Sequence, residues 1–295
     1  MINVDLLRAV DAFDENLHTP DYDQLILEQE LLERSLSKLH ELTIKTRMKK
    51  LMQEFGERDT DVYIVTFPKS GTTLMQMILY QLTTDGSMDF DHIYDVSPWC
   101  RLSAVSKCEM KSTGERRIIK THDNYEMLKS IRSGKFICVL RDCADVVSSL
   151  HQHIKDYINP TADIGELWDR KVKDWLGYNM EWIKNEAGLP VLYINYEDIV
   201  QDKRAAILRI ASFLGIEVDE ARMERVTERS SIAFMKKHEE KFGEQPDHRK
   251  VYNNFIRNGR VGEGKRSFTE AQLEVYKALS EDYDVRNTPL ARYFS

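Results

Sequence analysis

Tyr63-Ile64-Val65-Thr66-Phe67-Pro68-Lys69-Ser70-Gly71-Thr72-Thr73 is the stretch that decides the fold. Its β-branched and aromatic start reads as a buried strand, its centre as a tight turn, and the amphipathic run 74–82 that follows as a helix. Strand, turn and helix in that order build a phosphate cradle. The unpaired amides of a helix start converge with the positive end of its dipole, and a glycine lets the backbone come close to an anion. Gly71 supplies the close approach, Lys69 a point charge, and Ser70, Thr72 and Thr73 hydroxyl donors. Ser-Gly-Thr can also do no more than cap a helix. The loop lacks the first glycine and the Gly-Lys order of a Walker A loop, so it reads as an anion site of another kind.

Working outward, 116–122, 136–140 and 191–196 read as further strands, and 142–155, 168–184 and 203–214 as helices, the last stopped by Gly215. Trp168, Trp175 and Trp182 recur at heptad spacing, which is core spacing. The alternation predicts an α/β fold: a single domain with a mostly parallel central sheet flanked by helices. Ligands of such sheets sit beyond the C-terminal strand ends. Lys69, His122, Arg141 and Tyr196 all stand at or just after such an end, so they fall on one edge. Residues 1–60 read as a helical leader packed on the domain 61–295, with Leu32, Leu36 and Leu39 as its apolar face. Its basic cluster Lys45, Arg47, Lys49 and Lys50 reads as a solvated face, and 83–115 as irregular.

Two further segments give the loop a context. Arg141-Asp142-Cys143-Ala144-Asp145-Val146-Val147-Ser148-Ser149 follows the third strand, and Phe255-Ile256-Arg257-Asn258-Gly259-Arg260-Val261-Gly262-Glu263-Gly264-Lys265 lies near the C-terminus. Together with Pro68-Lys69-Ser70-Gly71-Thr72-Thr73 they resemble the motifs of the soluble sulfotransferases that use 3′-phosphoadenosine 5′-phosphosulfate (PAPS). The resemblance runs from about Val62 to Glu274. It implies that the first loop is a P-loop-like phosphosulfate-binding loop. It further implies that Arg141 and Ser149 hold the 3′-phosphate, and that Arg257, Asn258 and Gly259 close over it. Tyr196, Ser230, Ile232 and Leu74 would then touch adenine. Lys120-Thr121-His122 resembles the family's catalytic element, with His122 as base, Lys69 at the leaving oxygen and Lys120 at the sulfuryl oxygens. An unperturbed imidazole titrates near about 6.5, which suits a base at neutral pH.

Several residues depart from the family pattern. Leu74 and Gly264 stand where tryptophans are expected, and Asn258 stands for a lysine whose charge Arg260 could replace. Glu270 stands for the valine of the family's dimer motif, which leaves a monomer or a weak homodimer as the expectation.

Composition bounds the rest. The 295 residues carry a net charge of −7, which argues against nucleic acid as a partner and requires the cations of an anion site to be concentrated locally. With 42% hydrophobic residues the chain can build a substantial core. No apolar run approaches the roughly 18 residues of a membrane span, and the acidic start is unlike a signal peptide. Cys100, Cys108, Cys138 and Cys143 match neither a disulfide framework nor a zinc site, so a reduced, cytoplasmic protein without a metal is expected.

The sequence therefore predicts a sulfotransferase for a small-molecule alcohol, phenol or amine. Its rivals are a P-loop kinase or NTPase, which the missing Gly-Lys-Ser/Thr disfavours, and a non-catalytic nucleotide binder, which His122 disfavours. The acceptor should lie among 83–115 and 237–256, and the acids Asp89, Asp91 and Asp95 suggest that it is polar or cationic.

Overall fold

The computed structural model describes residues 22–111, 114–243 and 254–294. The start of the leader and the middle of 237–256 lie outside the described residues. In chain order the elements are α1 (Tyr22–Phe55), β1 (Val62–Thr66), α2 (Thr72–Thr83), α3 (Ile93–Val96), α4 (Cys100–Ser106), β2 (Ile118–Thr121), α5 (Tyr125–Leu128) and β3 (Lys135–Leu140). They continue as α6 (Cys143–Tyr157), α7 (Ile164–Lys184), β4 (Val191–Asn195), α8 (Tyr196–Gln201), α9 (Lys203–Leu214), α10 (Glu220–Arg229), α11 (Ile232–Lys237) and α12 (Glu270–Asp282).

The four strands form one parallel sheet in the order β2-β1-β3-β4. Strand alternation divides its side chains between two cores. Tyr63, Val65, Phe136, Cys138 and Leu140 pack on one face with α6 and α7, where Trp168, Trp175 and Trp182 are all buried. Val62, Ile64, Ile137, Val139 and Ile194 pack on the other with α2, α9 and α10. Register then places the site. Val65 pairs with Thr121, Thr66 with Val139, and Leu140 with Asn195. His122, Arg141 and Tyr196 follow these pairs directly and Lys69 follows after Phe67 and Pro68, so the sheet brings all four to one end.

The stretch 83–115 is more ordered than its sequence suggests, since it forms α3 and α4. The Lys120 amide donates to the Pro98 carbonyl at 2.9 Å, so this segment also covers the edge of β2. Asp95 accepts the His92 amide at 2.8 Å in a capping box on α3, and Asp89 bonds Ser87. These two acids are committed to local structure, which removes them as evidence for a cationic acceptor.

The leader differs from expectation in its packing face. Leu36 and Leu39 are each 46% exposed; the residues that pack on α4 are Ile44, Met48 and their neighbours in the last three turns of α1. A buried ion pair anchors that end. Arg117 donates to Asp61 at 2.6 and 2.7 Å and to the carbonyls of Phe55 and Gly56. Removing either charged partner would strand a buried charge at a cost of about 3–5 kcal/mol.

Candidate active site

A cavity of 360 Å³ opens at the C-terminal end of the sheet. Of the residues expected from sequence it gathers Lys69, Gly71, Thr72, Thr73, Leu74, Lys120, His122, Arg141, Ser149, Tyr196, Ser230, Ile232, Arg257, Asn258 and Gly259. Ser70 is the exception. Its side chain is 1% exposed and absent from the lining, its hydroxyl has no partner among the described residues, and its amide donates to the Phe67 carbonyl within the turn. Its side chain thus lies beneath the loop, with its backbone amide spent on the turn.

The loop is built by its backbone. Lys69 and Gly71 have φ of 69° and 100°, so successive peptide planes curl into a concave nest. Gly71 is the N-cap of α2 and offers no side-chain cap, which leaves the first-turn amides facing the cavity. A Cβ at Gly71 would stand 2.5 Å from Cδ2 of Tyr196, so glycine is required there for both φ and space.

Arg141 ties this loop to the distal one. Its Nη1 donates to the Lys69 carbonyl at 3.0 Å and its Nη2 to the Arg260 carbonyl at 3.2 Å. The guanidinium lies 4.4 Å from the centroid of the Tyr196 ring, and Nε is buried without a partner among the described residues. Tyr196 is itself a wedge, since its hydroxyl meets the Gly259 carbonyl at 3.4 Å. A Cβ at Gly259, where φ is 61°, would fall 2.3 Å from Ile232 Cδ1. Arg260, the cation expected to substitute for the lysine replaced by Asn258, pairs with Glu263 at 2.9 Å, and both line the cavity. Lys265 stands outside the lining.

His122 is oriented from β1. Its Nδ1 lies 2.8 Å from the Thr66 carbonyl, which can only accept, so Nδ1 carries a proton, and in the neutral imidazole Nε2 holds the lone pair. Thr66 Oγ1 shares a hydrogen bond with Thr72 at 2.7 Å and stands 3.1 Å from the same Nδ1. Lys120 is 4% exposed; its ammonium donates to the Tyr94 hydroxyl at 2.7 Å and lies 4.1 Å from the Trp99 ring centroid. Trp99 in turn meets His122 edge-on at 5.3 Å, and Lys69 Nζ lies 4.8 Å from the Phe255 centroid. Aromatic rings thus pack against His122 and both lysines.

The sequence reading missed Asp145, Ser148 and Lys203, which also line the cavity. Lys203 donates to the Ser230 carbonyl at 2.7 Å, and burial holds its pKa below the usual lysine value. Ser230 spends its hydroxyl on the Val226 carbonyl. Lys203 opens α9 outside any quoted motif, so no sequence signal singled it out; Asp145 stood inside a quoted motif without a role. Among the described residues the lining sets Lys69, Lys120, Arg141, Lys203, Arg257 and Arg260 against Asp145 and Glu263, inside a protein of net charge −7. That is an anion site.

Residues 59–287 match the sulfotransferase domain family. The chain belongs to the sulfotransferase family. Mouse (Mus musculus) sulfotransferase 1B1 is 32% identical to this sulfotransferase over 77% of the chain and 84% of that protein. Mouse sulfotransferase 2B1 is 30% identical over 75% and 70%. Mouse sulfotransferase SULT7A1, solved in complex with 3′-phosphoadenosine 5′-phosphate (PAP), superposes with a TM-score of 0.67 at 24% identity, covering 84% of this chain and 92% of that one. This likeness shows the shared fold. Among the described residues no helix is long and apolar enough to cross a membrane, and no group of three or more His, Cys, Asp or Glu could hold a metal ion.

Proposed function

We propose that this sulfotransferase moves a sulfuryl group from PAPS to a hydroxyl or amine of a small molecule, with His122 as general base. The observation that carries this is the orientation of His122, whose Nδ1–H bond to the Thr66 carbonyl leaves Nε2 as the proton acceptor beside the anion cradle. PAPS, when bound, supplies an activated sulfuryl group whose departure develops charge on a phosphate oxygen. The uncapped start of α2 and the unpartnered Nε of Arg141 suit such a polyanion. Lys69 sits in the loop where that charge would develop, and Lys120 beside His122 would meet the sulfuryl oxygens. Arg141, Ser149 and Arg257 would take the 3′-phosphate, and Tyr196, Leu74, Ser230 and Ile232 the adenine side. Tyr94, Trp99 and Phe255 favour an acceptor with an apolar or aromatic body around its nucleophile. Residues 61–295 form the sulfotransferase domain in this reading, with 1–60 as its helical leader.

A labelled PAPS donor offered with a panel of phenols, alcohols and amines tests the proposal. Transfer to at least one class, together with a thermal shift by PAP in the absence of magnesium, is the expected result. Stabilisation by magnesium ATP but not by PAP would overturn it.

A further inference from the structure

A carboxylate in the wall of an anion cavity needs a reason, because its charge opposes the ligand. Asp145 is such a group: it lines the cavity, is 4% exposed, and stands in the first turn of α6, near Arg141. Its two oxygens are committed to backbone. Oδ1 accepts the Gly264 amide at 2.7 Å and Oδ2 the Gly262 amide at 2.8 Å, across sequence separations of 119 and 117 residues. Bonds from an ionised carboxylate to amides are among the stronger hydrogen bonds. Oδ2 also lies 3.9 Å from Arg141 Nη2, and that nitrogen donates to the Arg260 carbonyl. Carboxylate and guanidinium thus hold one loop from neighbouring positions. The seat is close. A Cβ at Gly264 would approach the carbonyl carbon of Ala144 at 2.3 Å and the amide of Asp145 at 2.4 Å, so the tryptophan expected from the family has no room here.

We propose that Asp145 is a positioning residue for recognition of the nucleotide's 3′-phosphate. It latches the glycine-rich loop onto α6, so that Arg257 and Asn258, carried by the same loop, are presented to the cavity before the nucleotide arrives. The inference rests on the reading of the cavity as the PAPS site. Two bound amides and the adjacent Arg141 compensate the negative charge locally, and the loop need not be ordered at the expense of binding.

The test compares PAP with adenosine 5′-phosphate, which lacks the 3′-phosphate. In Asp145→Asn the side-chain amide can accept only one of the two N–H groups. The Kd for PAP should rise about 10-fold or more, with that for adenosine 5′-phosphate changing less than about twofold. In turnover, KM for the donor should rise while kcat at saturation is held. Equal losses for both nucleotides would show a general structural role and overturn the proposal. Hydrogen exchange on the unaltered protein provides an arm that needs no variant: the Gly262 and Gly264 amides should be protected before PAP is added, and exchange at solvent rates would sink the latch. A wild-type protein that fails to prefer PAP over adenosine 5′-phosphate would instead refute the PAPS site itself.

Discussion

Two loops face each other across the cavity, and they are held by different means. The first, 67–73, is fixed almost entirely by its own sequence: a strand feeds it, two positive φ values curl it, and the uncapped start of α2 ends it. The second, 257–264, has φ values of 61° and 79° at Gly259 and Gly262 but belongs to no strand–helix unit. It is placed by Asp145, Arg141 and Tyr196, each more than 60 residues away in sequence. A locally built cradle is rigid before any ligand comes, whereas one assembled from remote contacts can be loosened without disturbing the fold. The first therefore suits the reacting end of a donor, and the second the end that only has to be recognised.

That contrast can be broken at several points, and the largest effect belongs to the first loop's side. His122→Ala should lower turnover by roughly 10²–10⁴ while leaving the PAP dissociation constant nearly unaltered, as steady-state kinetics and calorimetry on the same protein would show. A variant keeping half its turnover would remove His122 from the chemistry. Arg141→Ala should weaken PAP by about 1.5–3 kcal/mol, because the side chain bridges the carbonyls of both loops. Unchanged affinity in a titration would mean that the guanidinium is only a structural tie.

Gly71→Ala should cost about 1–3 kcal/mol in binding PAP and adenosine 5′-phosphate alike, since the strain and the contact with Tyr196 lie in the shared part of the site. Gly264→Ala, which displaces only the distal loop, should hurt PAP selectively; equal losses from the two variants would erase the distinction between the loops. The smallest effect is expected at Leu74, which is half-buried in the cavity wall against the second core. Leu74→Trp should tighten nucleotide binding by about 0.5–1.5 kcal/mol if a ring can stack there. Weaker binding would show that Ile232 or Tyr196 already fills the space.

The first loop, the strand ends at His122 and Arg141, and the tryptophan spacing of α7 were legible because each is a local pattern whose period or turn chemistry the backbone must obey. Ser70 shows the limit of such local patterns. Its residue type suits a donor, but the direction of its side chain is decided by the turn that spends its amide on Phe67. The leucines of α1 show the opposite failure: an apolar repeat was visible, yet Leu36 and Leu39 remain exposed, because burial depends on which turns meet α4.

By itself the sequence determined the parallel α/β sheet, the anion loop, the histidine at the end of β2 and the sulfotransferase resemblance. Periodicity, glycine placement and motif spacing are all properties of the chain within reach of a few residues. Only the tertiary structure decided the proton on Nδ1 of His122, the pairing of Arg260 with Glu263, the pocket position of Lys203 and the hold of Asp145 on the distal loop. These depend on groups brought together from distant positions, and a hydrogen bond across 119 residues leaves no mark in the local order of amino acids.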